Sequence, residues 1–167
     1  MLWTSGPATQ TIYGIEYRNV WLKGDPEAAR GAKALGAHVT PPGRKLPPDY
    51  WASNLCVVAF EKEEVIALAP GEIRYTEAVR ANMAFLRVYV APTHRQRGMV
   101  IPLTIKFYEV MRKYALDNPD ERIGGIMAVV TVPGIMDEPI GKAFLIVMGY
   151  NERGQPLIIR WFDHFRF

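Results

Sequence analysis

Apolar and polar positions follow two different periods along this chain, and each change of period marks an element. Residues 55–60 (LCVVAF) and 65–70 (VIALAP) are short apolar runs around Glu61, Lys62, Glu63 and Glu64, the pattern of a hairpin with a polar four-residue turn. The second run can continue past Pro70 and Gly71 toward Tyr75, and a third strand is predicted at 83–90. The period then becomes helical, with Leu103, Phe107, Val110, Met111 and Tyr114 on one face of a helix through Ala115. It ends before Pro119, because a proline disfavours helical geometry in the residue ahead of it. Residues 123–132 (IGGIMAVVTV) are apolar on both faces, which predicts a fully covered central strand. Residues 140–150 (IGKAFLIVMGY) predict a second core helix closing at Gly149. In the last stretch, 156–167, Leu157, Ile159, Trp161, Phe165 and Phe167 share a face, with Asp163 the exception. On such a strand Asp163 and His164 would point to opposite faces and form no dyad.

Upstream, residues 25–36 carry a helix signature: Asp25 as N-cap, Pro26 at the first helical position and Gly36 at the end. A first strand is predicted within 11–21. Residues 38–54 hold four prolines and read as a long surface loop, either bordering a substrate or only connecting. The resulting order is strand, helix, three-strand meander, helix, strand, helix, strand. That is an α/β chain with a mixed sheet and helices on both faces, expected as one domain over residues 1–167.

Composition narrows the partners. Of 167 residues, 49% are apolar and 22% charged, as in a soluble globular chain. A net charge of +3 suits an anionic ligand, but the basic residues are scattered, which argues against nucleic acid. Cys56 is the single cysteine, so no internal disulfide can form, and three scattered histidines with it give no metal-ligand spacing. The N-terminus has no signal-peptide pattern, and the longest apolar stretch is broken by glycine and proline and falls short of a membrane span. A reducing cytoplasm is the expected compartment.

The chemistry concentrates at 88–100, VYVAPTHRQRGMV, where a strand runs through a basic, glycine-containing turn into a helix. The first N–H groups of a helix have no intrahelical partner, and together with the helix dipole they make an anion site. Pro92 would hold Ala91 extended, Gly98 would allow close approach, and Arg95 and Arg97 would add charge suited to phosphate oxygens. The Arg-x-x-Gly spacing alone decides nothing, since Arg122 to Gly125 matches it too. Only the copy at 95–98 has a strand before it and a helix after it.

This stretch resembles the acyl-CoA-binding motif of the GNAT superfamily of N-acetyltransferases, a strand ending Val-x-Pro followed by Arg/Gln-x-x-Gly-x-Gly/Ala at a helix start. AFLIVMGY (143–150) is similar to that family's last motif, a helix closing on Gly-Phe. The resemblance implies a mostly antiparallel sheet splayed between the fourth and fifth strands, with Gly124 and Gly125 easing the opening. It implies acetyl-CoA as acyl donor, with main-chain donors from Arg95, Gln96, Arg97, Gly98, Met99 and Val100 for its pyrophosphate. Val88 and Val90 would lie beside the pantetheine arm, and a main-chain N–H near Val90 would polarise the thioester. Val100 stands where the family has Gly or Ala. Leu145 falls at the place of its tyrosine acid, Glu138 at that of its asparagine and Ala84 at that of its strand glutamate.

Acetyl transfer also needs a base, and the carboxylates placed for it are Glu72, Glu77, Asp137 and Glu138, with Glu72 and Glu138 the catalytic candidates. Each competes with a plain surface role, as His94 and Tyr150 compete with loop and core roles. The expected function is transfer of an acetyl group from acetyl-CoA to a small-molecule or peptide amine in a ternary complex, with no metal and no membrane. The alternative is a GNAT-like acyl-CoA-binding or regulatory module without turnover. Tyr50 and Trp51 would face an acceptor or anchor their loop. The aromatic tail would pack in the core or form a homodimer contact.

Overall fold

The computed structural model describes residues 9–40, 42–95, 97–131 and 145–166. By proximity the chain divides into two compact units, residues 1–71 with 87–110, and residues 72–86 with 111–167.

The first unit opens on a hairpin, β1 (Thr9–Ile12) and β2 (Ile15–Asn19), where the sequence pattern suggested one strand. Its turn is Tyr13 and Gly14, both at positive φ, the backbone that matches strand twist in a two-residue hairpin. Helix α1 (Pro26–Val39) begins as predicted: Asp25 accepts a hydrogen bond from the Ala28 N–H at 3.0 Å. It does not stop at Gly36. That glycine is buried within the helix, against the Trp51 indole, where a Cβ would overlap the ring. The stop comes at Thr40, whose N–H and hydroxyl both donate to the Gly36 carbonyl, at 2.9 and 2.6 Å.

Strands β3 (Leu55–Glu61) and β4 (Glu64–Thr76) form the expected hairpin, with a tighter turn than expected: only Lys62 and Glu63, again both at positive φ. β5 (Ala81–Leu86) and β6 (Tyr89–Val90) divide the predicted third strand, and Arg87 and Val88 lie between them. In the first unit the hydrogen-bonded order is β1-β2-β3-β4-β6, antiparallel throughout. Ala28, Ala32 and Leu35 of α1 pack on Val58, Phe60 and Leu68, with Trp51, Tyr89 and Ala91 against the same cluster. Helix α2 (Val100–Asp117) starts in this unit and ends in the other. Its Leu103, Phe107 and Met111 are fully buried, the face read from the helical period.

In the second unit the far end of β4 is followed in hydrogen-bonded order by β5, β7 (Ile123–Val129), β9 (Pro156–Trp161) and β8 (Ile146–Tyr150). β5 and β7 are parallel, while β7 with β9 and β9 with β8 are antiparallel. The architecture is therefore the expected mixed α/β one, mostly antiparallel with one parallel pair. Met83, Met127 and Ile159 centre its core, with Trp161 and Phe165 packed on them.

Two expectations fail here. Residues 146–150 are a strand, not the end of a core helix, and Ile146, Val147, Met148 and Tyr150 are exposed. The pairing of Ile146 and Val147 with Ile159 and Ile158 decides the conformation of a run that either period fits. Positions 140–144 lie outside the described residues. The tail leaves the sheet after Trp161: Phe162 to Phe165 form a turn, so Asp163 and His164 do approach, to 3.7 Å. Asp163 is nevertheless committed to Arg112, which donates to both carboxylate oxygens at 2.8 Å.

Candidate functional site

The turn from β6 to α2 is built in steps. Ala91 is extended (φ −52°, ψ 138°) ahead of Pro92, and Pro92–His94 make one 3-10 turn in which the His94 N–H donates to the Ala91 carbonyl at 2.8 Å. The Arg97 N–H then donates to the His94 carbonyl at 3.1 Å. Gly98 follows at φ +65°, a backbone that residues with a Cβ rarely adopt, and the chain enters α2. Met99 is the N-cap, since its carbonyl accepts the first intrahelical bond, from the Leu103 N–H at 3.2 Å. Among the described residues no backbone acceptor meets the N–H groups of Gly98, Met99, Val100 and Ile101. Pro102, in the first turn, has none to offer. Donors at the positive end of an 18-residue helix are the chemistry an anion needs.

The strand before the turn also turns a donor outward. Val90 pairs opposite Ala67, and the Ala91 N–H donates to the Ile66 carbonyl at 2.8 Å. Hydrogen-bonded and open pairs alternate in an antiparallel ladder, so the N–H and C=O of Val90 point away from β4. Tyr89 and Ala91 pack on the α1 cluster, which puts the Val90 side chain on the opposite face of the sheet.

The two arginines of the motif are not equivalent. Arg95 is exposed, and its described side-chain contact is a long one, Nε to the Val90 carbonyl at 3.4 Å. Arg97 is committed: its guanidinium donates to Glu61 Oε1 at 2.7 Å, while its N–H closes the turn. The other carboxylate oxygen of Glu61 accepts from His94 Nε2 at 2.8 Å, and Thr93 Oγ1 lies 2.8 Å from His94 Nδ1. The His94 imidazole first, and the Arg97 guanidinium after it, hold the Glu61 carboxyl below the usual carboxylate range. Sequence reasoning did not find Glu61. It lies 33 residues before His94, at the end of a hairpin, and nothing in the letters pairs it with the turn.

Of the residues read from the motif, Val88, Val90, Arg95, Arg97, Gly98, Met99 and Val100 all lie in the first unit, and Gln96 lies outside the described residues. Glu72 lies in the second unit on β4, where Arg74 Nε approaches its Oε1 at 3.2 Å. Ala84 is fully buried in β5, and Asp137 and Glu138 lie outside the described residues. Since Gly149 and Tyr150 sit within β8 and not at a helix end, the positional reading that put Leu145 at an acid's place falls with the helix. The glycines of β7 also have a packing reason: a Cβ on Gly125 would overlap the Arg160 carbonyl, and one on Gly124 would meet the Trp161 ring at 2.8 Å. Trp51 anchors its loop, packing edge-on to Tyr50 and Tyr89 at 5.1 and 4.7 Å and donating from Nε1 to Thr40 at 3.0 Å.

Two alternative sites carry less. A depression lined by Glu16, Arg18, Glu27, Phe60 and Lys62 is closed on itself: Arg18 lies 4.2 Å over the Phe60 ring and pairs with Glu16, Asp25 and Glu27. Among the described residues no three His, Cys, Asp or Glu side chains are grouped to hold a metal ion. No described helix is long and apolar enough to cross a membrane.

No protein-family model matches this chain. No curated protein matches it either. Solved structures do, with the GNAT fold. A putative acetyltransferase from Salmonella typhimurium, yncA, solved with its cofactor acetyl-CoA, superposes with a TM-score of 0.67 at 13% identity, covering 92% of this chain and 96% of its own. Ribosomal-protein-S5-alanine acetyltransferase from Vibrio fischeri gives 0.61 at 10% identity, over 96% and 100%. Arabidopsis thaliana NAA60 in complex with acetyl-CoA gives 0.60 at 13% identity, over 88% and 99%. The chain thus has the fold of GNAT acetyltransferases, as its 88–100 stretch suggested.

Proposed function

We propose that this chain is an acyl-CoA-dependent N-acetyltransferase that moves an acetyl group from acetyl-CoA to a small-molecule or peptide amine. The observation that carries this reading is the cradle of Gly98, Met99, Val100 and Ile101 N–H groups at the start of α2, in a fold shared with acetyl-CoA-bound acetyltransferases. The pyrophosphate sits in that cradle with Arg95 beside it, and the Arg97 N–H closes the turn onto the His94 carbonyl. The pantetheine arm runs along Val88 and Val90. The outward N–H of Val90 donates to the thioester oxygen, where negative charge grows as the amine adds. The tetrahedral adduct collapses with loss of the CoA thiolate, which takes up one proton while the amine gives one up. Transfer is direct, in a ternary complex, within one GNAT-like domain spanning 1–167. The fully buried thiol of Cys56, which burial pushes well above its ordinary pKa, takes no part and suits a cytoplasmic setting.

A melting experiment tests binding. Acetyl-CoA at a hundred times its dissociation constant stabilises a single-site binder by about 2.7 kcal/mol. An unchanged melting temperature at millimolar acetyl-CoA would overturn the reading. Release of free CoA thiol across a panel of amines tests turnover.

The rival reading, a binding module without turnover, draws on Ala84 standing buried where the family places a glutamate and on the Arg74 partner of Glu72. Protection from melting without thiol release would select it. Glu72 and Glu138 remain the candidate bases. Because Arg74 engages Glu72, we expect Glu72→Gln to leave turnover little changed. A loss of about a hundredfold or more would instead make Glu72 the base.

A further inference from the structure

We infer that Glu61 is a positioning residue for the acyl-CoA site, and that it acts by holding the Pro92–Gly98 turn in the shape that turns the α2 amides outward. This rests on the function proposed above. Glu61 ends β3, next to the tight Lys62–Glu63 turn, so its backbone is fixed by pairing with Glu64 of β4. From there its two carboxylate oxygens reach two residues of the turn: Oε2 accepts a hydrogen bond from His94 Nε2 at 2.8 Å and Oε1 one from the Arg97 guanidinium Nη1 at 2.7 Å. The same two residues close the turn through their main chains, Arg97 N–H to His94 carbonyl at 3.1 Å. Glu61 therefore spans the ends of the backbone hydrogen bond that sets the turn. With His94 Nε2 donating to Glu61, a neutral ring accepts at Nδ1 from the Thr93 hydroxyl, which fixes the ring from its other side.

The idea makes a prediction opposite in sign to simple electrostatics. A carboxylate beside an anion site repels the ligand and neutralises an arginine, so by charge alone its removal should tighten binding of the polyanion acetyl-CoA. A clamp works the other way: its removal frees Arg97 but lets the turn fluctuate, and the four amides lose their common aim. Glu61→Gln is the sharp variant, since it keeps size and shape, removes the charge and can accept only one of the two bonds. Glu61 lies at a hairpin end outside the apolar core and only half-buried, so the fold is expected to survive the change.

Hydrogen–deuterium exchange on the ligand-free protein is the first measurement. In Glu61→Gln the amides of residues 94–99 should exchange at least several-fold faster than in the wild type, with the β3 and α2 interiors unchanged. Equal exchange in this segment overturns the clamp whether or not acetyl-CoA binds. The second measurement is acetyl-CoA affinity by calorimetry, with KM and kcat where turnover is found. A roughly tenfold or larger weakening, read as a higher KM at unchanged kcat, supports the clamp, and tighter binding overturns it. Combining Glu61→Gln with Arg97→Ala should cost little more than either change alone, because both break one unit; additive losses would overturn the shared route. If exchange rises as expected yet neither protein binds acetyl-CoA, the clamp stands and the transferase reading falls.

Discussion

Two glycines, Gly36 and Gly98, look alike in the sequence and do opposite things. Gly36 has ordinary helical geometry but no room, because a Cβ would lie inside the Trp51 indole. Gly36→Ala should therefore displace Trp51, together with its bond to Thr40 and its edge contact with Tyr89, and overpacking of this kind costs about 1–3 kcal/mol. Urea denaturation would show it as a lower midpoint at an unchanged slope; a stability equal to the wild type's would mean the indole moves freely. Gly98 is the reverse: nothing lies within 4 Å of its Cβ position, yet its φ is +65°. Asparagine tolerates that backbone better than other side chains do. Gly98→Asn should accordingly leave the melting temperature of the free protein nearly unchanged while blocking acetyl-CoA, removing the ligand-induced shift. Retained protection would place the pyrophosphate elsewhere.

At the scale of elements, α1 shows how a start signal becomes stability. Asp25 accepts from the Ala28 N–H and pairs with Arg18 at 3.2 Å. The Ala28 hydrogen bond first, and Arg18 after it, lower its pKa below the ordinary carboxylate value. A group depressed in this way contributes fully above its unfolded pKa, near 3.9, and the contribution is lost as pH falls through the lower folded value. Asp25→Ala should cost about 0.5–2 kcal/mol at neutral pH. Below about pH 4 the gap between variant and wild type should narrow in denaturation curves. A gap that stays constant down to pH 2 would show that packing, not the carboxylate, is responsible. This helix start was legible because Asp-Pro signals it locally, and the β3–β4 hairpin and α2 were legible from their periods. The stretch at 146–150 was not, since an unbroken apolar run fits helix and strand equally until β9 pairs with it. The candidate site divides the same way. The turn at 95–100 is written in consecutive residues, whereas its tie to Glu61 exists only once a distant hairpin is folded.

At the scale of the whole molecule, the question is where the excess positive charge goes. The chain carries 20 basic against 17 acidic residues, and many of the basic ones are already matched. Arg18, Lys33, Arg74, Arg97, Arg112 and Lys113 each lie within 2.6–3.2 Å of a carboxylate oxygen. Pairs of this sort reduce the positive charge left to track a phosphate backbone. On the function proposed above, Arg95, exposed ahead of α2, would instead meet the pyrophosphate of acetyl-CoA. Main-chain donors and one guanidinium bind such a ligand with modest salt dependence, because only a small part of the attraction is screened over the Debye length, about 10 Å at 0.1 M. Acetyl-CoA affinity should thus fall only a few-fold between 50 and 200 mM salt, and Arg95→Ala should both weaken binding and flatten that dependence, whereas Arg97→Ala should weaken it without flattening. A nucleic-acid protein making six or more phosphate contacts would lose about a thousandfold over the same range. Titrating a fluorescent single-stranded RNA alongside acetyl-CoA decides between them: RNA binding with a steep salt slope, and no response to acetyl-CoA, would reassign the basic turn to a polymer.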